Sequence, residues 1–271
     1  MFDPVVFVAN TNAFCRLISM KDKSTLHSIL RFVIQLRHPA IIALAAIALG
    51  TGCVTNGRHI LLKEYEASIP PQTDLNLKGA TICLKDFTCA TNLVLMEVKG
   101  NGDEPNPYKY IERPHQLDPQ WDKEMHDLQK QVPQSDQMQI GNMRDAFGIV
   151  MSHVYALNNP ADWLKQSLKY DLEAQGAKVV DASQAADADV TVSGTIQLCR
   201  ADMYMTVDVQ FVVDLDVQPK SGEARHKTIH THGNTVAVLA SEGEYFHAFR
   251  DAREKFSILT AREISEALKA K

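Results

Sequence analysis

From Val190 onward the hydrophobic and polar positions of the chain alternate with a period of two. Val190, Val192, Gly194, Ile196 and Leu198 fall on one side of an extended chain, and Thr191, Ser193, Thr195 and Gln197 on the other. The pattern resumes in Met205, Val207, Val209, Phe211, Val213, Leu215 and Val217, opposite Thr206, Asp208, Gln210, Asp214 and Asp216. One buried face and one wet face mark antiparallel strands. The short link Arg200-Ala201-Asp202 suits a hairpin between them. Pro219-Lys220-Ser221-Gly222 is a turn, and a third strand follows over about residues 227–239. Earlier in the chain, residues 80–87 alternate well enough for a first strand.

Helical spacing appears twice. Asn159-Pro160-Ala161-Asp162 starts a helix with a capping side chain, a proline in the first turn and an acid at the positive end of the dipole. Leu164, Leu168 and Leu172 form its apolar stripe beside Trp163, and Gly176 ends it. Residues 244–270 read as a long helix with Phe249, Ala252, Phe256 and Leu259 on one side. The expected fold is α+β, a mainly antiparallel sheet with two principal helices packed on one face. It forms a single domain over residues 75–271. That domain carries an irregular insertion at about 92–139, where Pro105, Pro107, Pro114, Pro119 and Pro133 break the pattern around a short helix near 121–131.

The N-terminal part has a different character. Lys21, Lys23, Arg31 and Arg37 precede the apolar run Ile41-Ile42-Ala43-Leu44-Ala45-Ala46-Ile47-Ala48-Leu49, which small residues connect to Cys53. Basic stretch, apolar run and small residues, in that order, make an export signal. The run is shorter than the roughly 20 apolar residues that span a bilayer. Residues 1–52 are therefore expected as a signal segment. Its start is expected at Met20, because residues 1–19 would precede an already complete signal. Leu49-Gly50-Thr51-Gly52-Cys53 resembles the lipobox of bacterial lipoproteins, with Leu49 four rather than three residues before the cysteine. The resemblance implies that Cys53 takes a diacylglycerol and an acyl chain and becomes the new N-terminus. Residues 53–74, with Pro70-Pro71 and little periodicity, are expected as a lipidated tether.

Charge narrows the partners. The whole chain carries −5, and loss of residues 1–52 leaves 23 basic against 31 acidic residues, a net of −8. No basic run follows Cys53, so a broad nucleic-acid face is excluded. The expected partners are the membrane, through the lipid, and an envelope protein.

The C-terminal two-thirds, about residues 77–269, resembles the YajG-like family of bacterial lipoproteins. The resemblance is carried by Ile140-Gly141-Asn142-Met143-Arg144-Asp145-Ala146-Phe147-Gly148, by the helix at 163–175 with Gly176, by Ala188-Asp189-Val190-Thr191-Val192-Ser193-Gly194, and by the terminal helix. It implies an outer-membrane lipoprotein facing the periplasm and brings no catalytic residues. Val54 after Cys53 points the same way, since aspartate at that place is the usual inner-membrane retention signal.

Candidate chemistry is sparse. His230 and His232 share one strand face with His226 nearby, and Asp208, Asp214 and Asp216 could add ligands if register permits. A polar solvated face is the plainer reading. Arg144 and Asp145 suggest an ion pair at a strand end. No nucleophile elbow, phosphate loop or zinc-binding helix motif is present. Cys83, Cys89 and Cys199 would meet an oxidising compartment. Cys83 and Cys89 could pair only if the chain turned at 85–88, with Cys199 at a strand end as the other partner. The expected function is a non-enzymatic envelope accessory for binding or assembly, without cofactor. The alternatives are a transport-auxiliary lipoprotein binding a lipid or hydrophobic ligand, and a metal-dependent hydrolase using His230 and His232.

Overall fold

In chain order the elements are β1 (Arg58–Ile60), β2 (Thr81–Cys89), α1 (Pro119–Gln131), β3 (Met138–Arg144), β4 (Val150–Ala156), α2 (Pro160–Ala174), β5 (Lys178–Val180), a 3-10 turn (Ala182–Asp187), β6 (Val190–Tyr204), β7 (Thr206–Pro219), β8 (Arg225–Val236) and α3 (Glu242–Lys269). They come from a computed structural model that describes residues 57–72, 74–75, 77–90, 119–133, 137–145, 148–237 and 241–270. The chain divides into units Met1–Asn56 and Gly57–Lys271, and the described residues all belong to the second. The signal segment, Met20, Cys53 and residues 92–118 and 134–136 of the expected insertion lie outside the described residues.

The fold is α+β. Among the described residues, eight strands form one mixed sheet with helices packed on it. Its long pairings, β6 with β7 and β7 with β8, are antiparallel. The other edge of β6 is shared. β2 runs parallel to its first half, Val190 to Ile196, and β3 meets its end at Met203. β5 extends the sheet from β2, while β4 and then β1 extend it from β3.

Both principal helices lie on one face, where Trp163 of α2, Phe249 of α3 and Phe211 of β7 meet with ring centroids 5.8 to 6.1 Å apart. Val207, Val209, Val213, Leu215 and Val217 fill that face as the alternation predicts. The Asn159 Oδ1 accepts from the Ala161 N–H at 2.9 Å and caps α2, and Gly176 adopts φ +86° just past its end. α3 starts at Glu242, earlier than expected. Ser241 and Glu244 form a reciprocal capping box there, each side chain accepting from the other's N–H. α3 lies so close over β8 that a Cβ on Gly233 would come within 2.1 Å of the Ala248 carbonyl oxygen.

Four expectations need correction. The link at Arg200-Ala201-Asp202 is strand: these residues pair with Gln210, Val209 and Asp208, and the chain turns only at Met205, with φ 64°. Charge made Arg200 and Asp202 look like a loop, but they sit on the wet face, where the Arg200 Nε donates to Asp202 at 3.0 Å. Leu198 does not share the face of Val190 to Ile196. A bulge at Gln197 shifts the register, pairs Leu198 with Val212, and turns Cys199 and Ala201 inward.

The cysteines are the third correction. Residues 81–89 form one strand with a bulge between Leu84 and Phe87, so Cys83 and Cys89 stay apart, and Cys199 lies within β6 rather than at its end. All three are free thiols. Finally, residues 57–72 are packed rather than extended as tether. β1 pairs with β4, Leu61, Leu62 and Ile69 are buried, and the Asn158 amide bonds both the N–H and the carbonyl of Leu62 at 2.9 and 2.7 Å. Prolines 70 and 71 suggested a linker; the apolar Ile60-Leu61-Leu62 decides the matter by burial.

Candidate functional site

The outer face of β6, β7 and β8 carries the polar residues that alternate with the core positions. Register places Asp216 opposite His226, Asp214 opposite Thr228, Val212 opposite His230 and Gln210 opposite His232. The ring Nδ1 of His226 lies 2.8 Å from Asp216, whose hydrogen bond raises the imidazole above its ordinary pKa of 6.5. Asp214 accepts from the Thr228 hydroxyl at 2.6 Å and from the Gln197 amide at 2.8 Å. His232 contacts Asp208 diagonally. His230 and His232 do share the outer face, but across from His230 stands Val212, an apolar side chain. Among the described residues, no three His, Cys, Asp or Glu side chains gather as a metal ion would require.

Arg144 and Asp145 close the β3–β4 turn. The guanidinium of Arg144 donates to the Gly148 carbonyl at 3.2 Å, and Asp145 accepts from the Ile149 N–H at 2.9 Å. The thiols have little nucleophilic character. Burial pushes Cys83, Cys89 and Cys199 upward, Cys199 most strongly, which keeps them protonated. Cys83 sits on the face away from α2 and is covered there by Val180, Ala185 and Ala188.

The most concentrated electrostatics lie inside. Arg253 of α3 and Asp171 of α2 are fully buried and form an ion pair. Arg253 also contacts the Ser68 hydroxyl and, at 3.4 Å, the carboxylate of Glu64. Arg250 grips the same carboxylate with two donors at 3.0 and 2.5 Å. Burial is the largest single influence on Arg250 and lowers its pKa, but the hydrogen bond to Glu64 and the charges of Glu64, Glu254 and Glu66 together outweigh it and hold the group above its usual value. The second oxygen of Asp171 accepts the backbone N–H groups of Ser68 and Ile69 at 2.8 and 3.3 Å. Two arginines and two carboxylates thus clasp residues 64–69 between α2 and α3. The sequence carries no local sign of this, since the partners stand 82 to 186 positions apart.

α1 seals the other side of that segment. Its Trp121 is buried, donates from the indole N–H to the Leu61 carbonyl at 2.8 Å and packs on Phe246 of α3 with centroids 4.9 Å apart. Glu124 bonds Lys63 at 2.5 Å, which lowers the Glu124 pKa. The helix expected near 121–131 therefore belongs to the domain and locks the chain that leads in from Cys53.

No family model matches this chain, and no curated protein matches it in sequence. Among solved structures, a Xanthomonas campestris protein of the DUF330 family is similar at 11% identity and a TM-score of 0.43, covering 75% of this chain and 94% of its own. A minor lipoprotein from Acinetobacter baumannii is similar at 12% identity and a TM-score of 0.30, covering 47% of this chain and 91% of its own. At TM-scores below 0.5 these likenesses bear on neither the fold nor the function of this chain.

Proposed function

We propose that the protein is a bacterial lipoprotein, anchored by lipid on Cys53 to the periplasmic face of the outer membrane, and that it serves there as a non-enzymatic accessory in binding or assembly. The carrying observation is the apolar run at 41–49 that small residues connect to Cys53, four residues before the folded domain begins at Gly57. Val54 and the resemblance to YajG-like lipoproteins support the outer membrane. The accessory role is supported by the chemistry of the candidate groups: carboxylates tied up in structural bonds, thiols whose pKa is raised, and histidines facing neutral or singly paired neighbours. Between the sheet and the two helices the rings of Trp163, Phe211 and Phe249 fill the space that a hydrophobic ligand would occupy, which favours this reading over lipid transport.

Mass spectrometry of the mature N-terminus is expected to find diacylglycerol on Cys53, and Cys53→Ser to release the protein from membranes. A mutant that stays bound and still takes up labelled lipid would overturn the reading.

A further inference from the structure

Among the described residues, five large apolar side chains are left in solvent: Ile149, 61% exposed, Val150, 42%, Tyr204, 49%, Met205, 72%, and Val236, 70%. They are far apart in sequence, yet the topology gathers them. β3 and β6 run parallel and end at Arg144 and Tyr204; β4 and β7 begin at Val150 and Thr206. β8 ends at Val236, opposite Thr206. All five residues therefore stand at one end of the sheet, along neighbouring strands in the order β4, β3, β6, β7, β8. At about 4.8 Å per strand this rim is about 19 Å long. The opposite end, at Lys220 and Ser221 in the β7–β8 turn, is polar.

The chain enters at the same end. β1 lies parallel to β4 with Arg58 opposite Val154, so Gly57 stands level with His153, three residues from Val150 and about 10 Å short of the rim. Three residues lie between Cys53 and Gly57, so the reach across the four steps is at most about 14 Å. β1 is fixed in place: besides its pairing with β4, Arg58 meets Glu242 of α3 at 3.4 Å, and the chain beyond is clasped by Arg250 and Arg253. A lipid on Cys53 thus cannot sit far from the rim.

From this geometry we infer that the rim of Ile149, Val150, Tyr204, Met205 and Val236 rests on the lipid surface that holds Cys53. The inference rests on the lipid-anchor reading above and adds the orientation of the domain. A membrane is the occupant the tether selects, because a reach this short keeps the lipid beside the end of the domain that carries the rim and so gives the bilayer a high effective concentration there. The rim's composition agrees: apolar side chains with a tyrosine suit the boundary between headgroups and acyl chains. Of the nearby charges, Arg58 is paired with Glu242 of α3, and Arg144 donates to the Gly148 carbonyl.

The test places tryptophan at the two ends of the rim, Val236→Trp and Ile149→Trp, and at the far turn, Ser221→Trp, in the full lipidated protein. Each is reconstituted in phosphatidylethanolamine and phosphatidylglycerol vesicles whose acyl chains carry bromine. All substituted positions are solvent-exposed, so the fold tolerates them, and the native Trp121 and Trp163 are buried and give a common background. Brominated lipid is expected to remove most of the emission added at 236 and 149 and to leave that added at 221, while aqueous iodide does the reverse. Iodide quenching at the rim equal to that at 221 would overturn the inference, as would rim tryptophans shielded from both quenchers, which indicates a protein partner or a second copy over the rim. Vesicle flotation and the mass of Cys53 are measured on the same samples. Without lipid on Cys53 the anchor reading falls and takes the orientation with it; with lipid present and no rim quenching, only the orientation falls.

Discussion

Arg253 and Asp171 show what a buried charge demands of its surroundings. Taking either ion out of water costs several kcal/mol, and mutual attraction offsets this only when the remaining donors and acceptors are also met. Here they are met largely by Ser68, Ile69 and Glu64, all on the segment after β1. The pair therefore specifies where that segment lies as much as it stabilises it. Removing one ion leaves the other stranded. Arg253→Met is expected to lower unfolding stability by about 3–5 kcal/mol, measured by urea or thermal denaturation. Arg253→Met with Asp171→Asn should lose less than the two single changes together, because the amide still accepts the Ser68 N–H without a stranded carboxylate; additive losses would contradict the coupling. At this scale the sequence is legible where a side chain acts on its own neighbours. Asn159, Pro160, Asp162 and Gly176 mark α2 because capping is local. Glu64 and Arg250 are 186 positions apart, and nothing near either foretells the other.

Among the elements, period-two patterning gave β6, β7 and most of β8 their faces, because one side of each strand is buried against helices and the other is wet. It misplaced the turn between β6 and β7. Met205 takes φ 64° although no Gly or Asn marks the position, and the charges at Arg200 and Asp202 suggested an earlier stop. The bulge at Gln197 leaves no mark either, since Leu198 looks equally apolar on both faces. Gly233 is a clearer case of residue type serving an element. In β8 it looks like a weak point, yet α3 crosses there with the Ala248 oxygen and the Ala252 nitrogen 2.1 and 2.5 Å from where a Cβ would stand. Both obstacles are backbone and cannot rotate away. Gly233→Ala is expected to destabilise by about 1–3 kcal/mol through displacement of α3, although alanine has the better strand propensity. A thermal melt unchanged by the substitution would show that the helix can shift freely.

For the whole molecule, the main revision concerns where the domain begins. Composition placed the start at residue 75, after the two prolines; burial places it at Gly57, because Ile60, Leu61, Leu62 and Ile69 complete the core between α1, α2 and α3. Fully burying a side chain of this kind is worth about 1.5–3 kcal/mol, and to the four the segment adds the pairing of β1 with β4 and the Arg250 and Arg253 bonds to Glu64. A chain that starts at residue 75 is expected to lose cooperative thermal unfolding, and one that starts at Gly57 to keep it, as calorimetry would read.

The placement of β1 also decides how the molecule bears load. A pull on the chain before Gly57 acts along the axis of β1, so the hydrogen bonds to β4 are strained together in shear rather than opened one after another like a zipper. Behind them the Arg250 and Arg253 clasp on Glu64 acts as a second stop. Traction entering through β1 is thereby spread through the sheet and α3, while the same force applied at the far turn would peel β8 from one end.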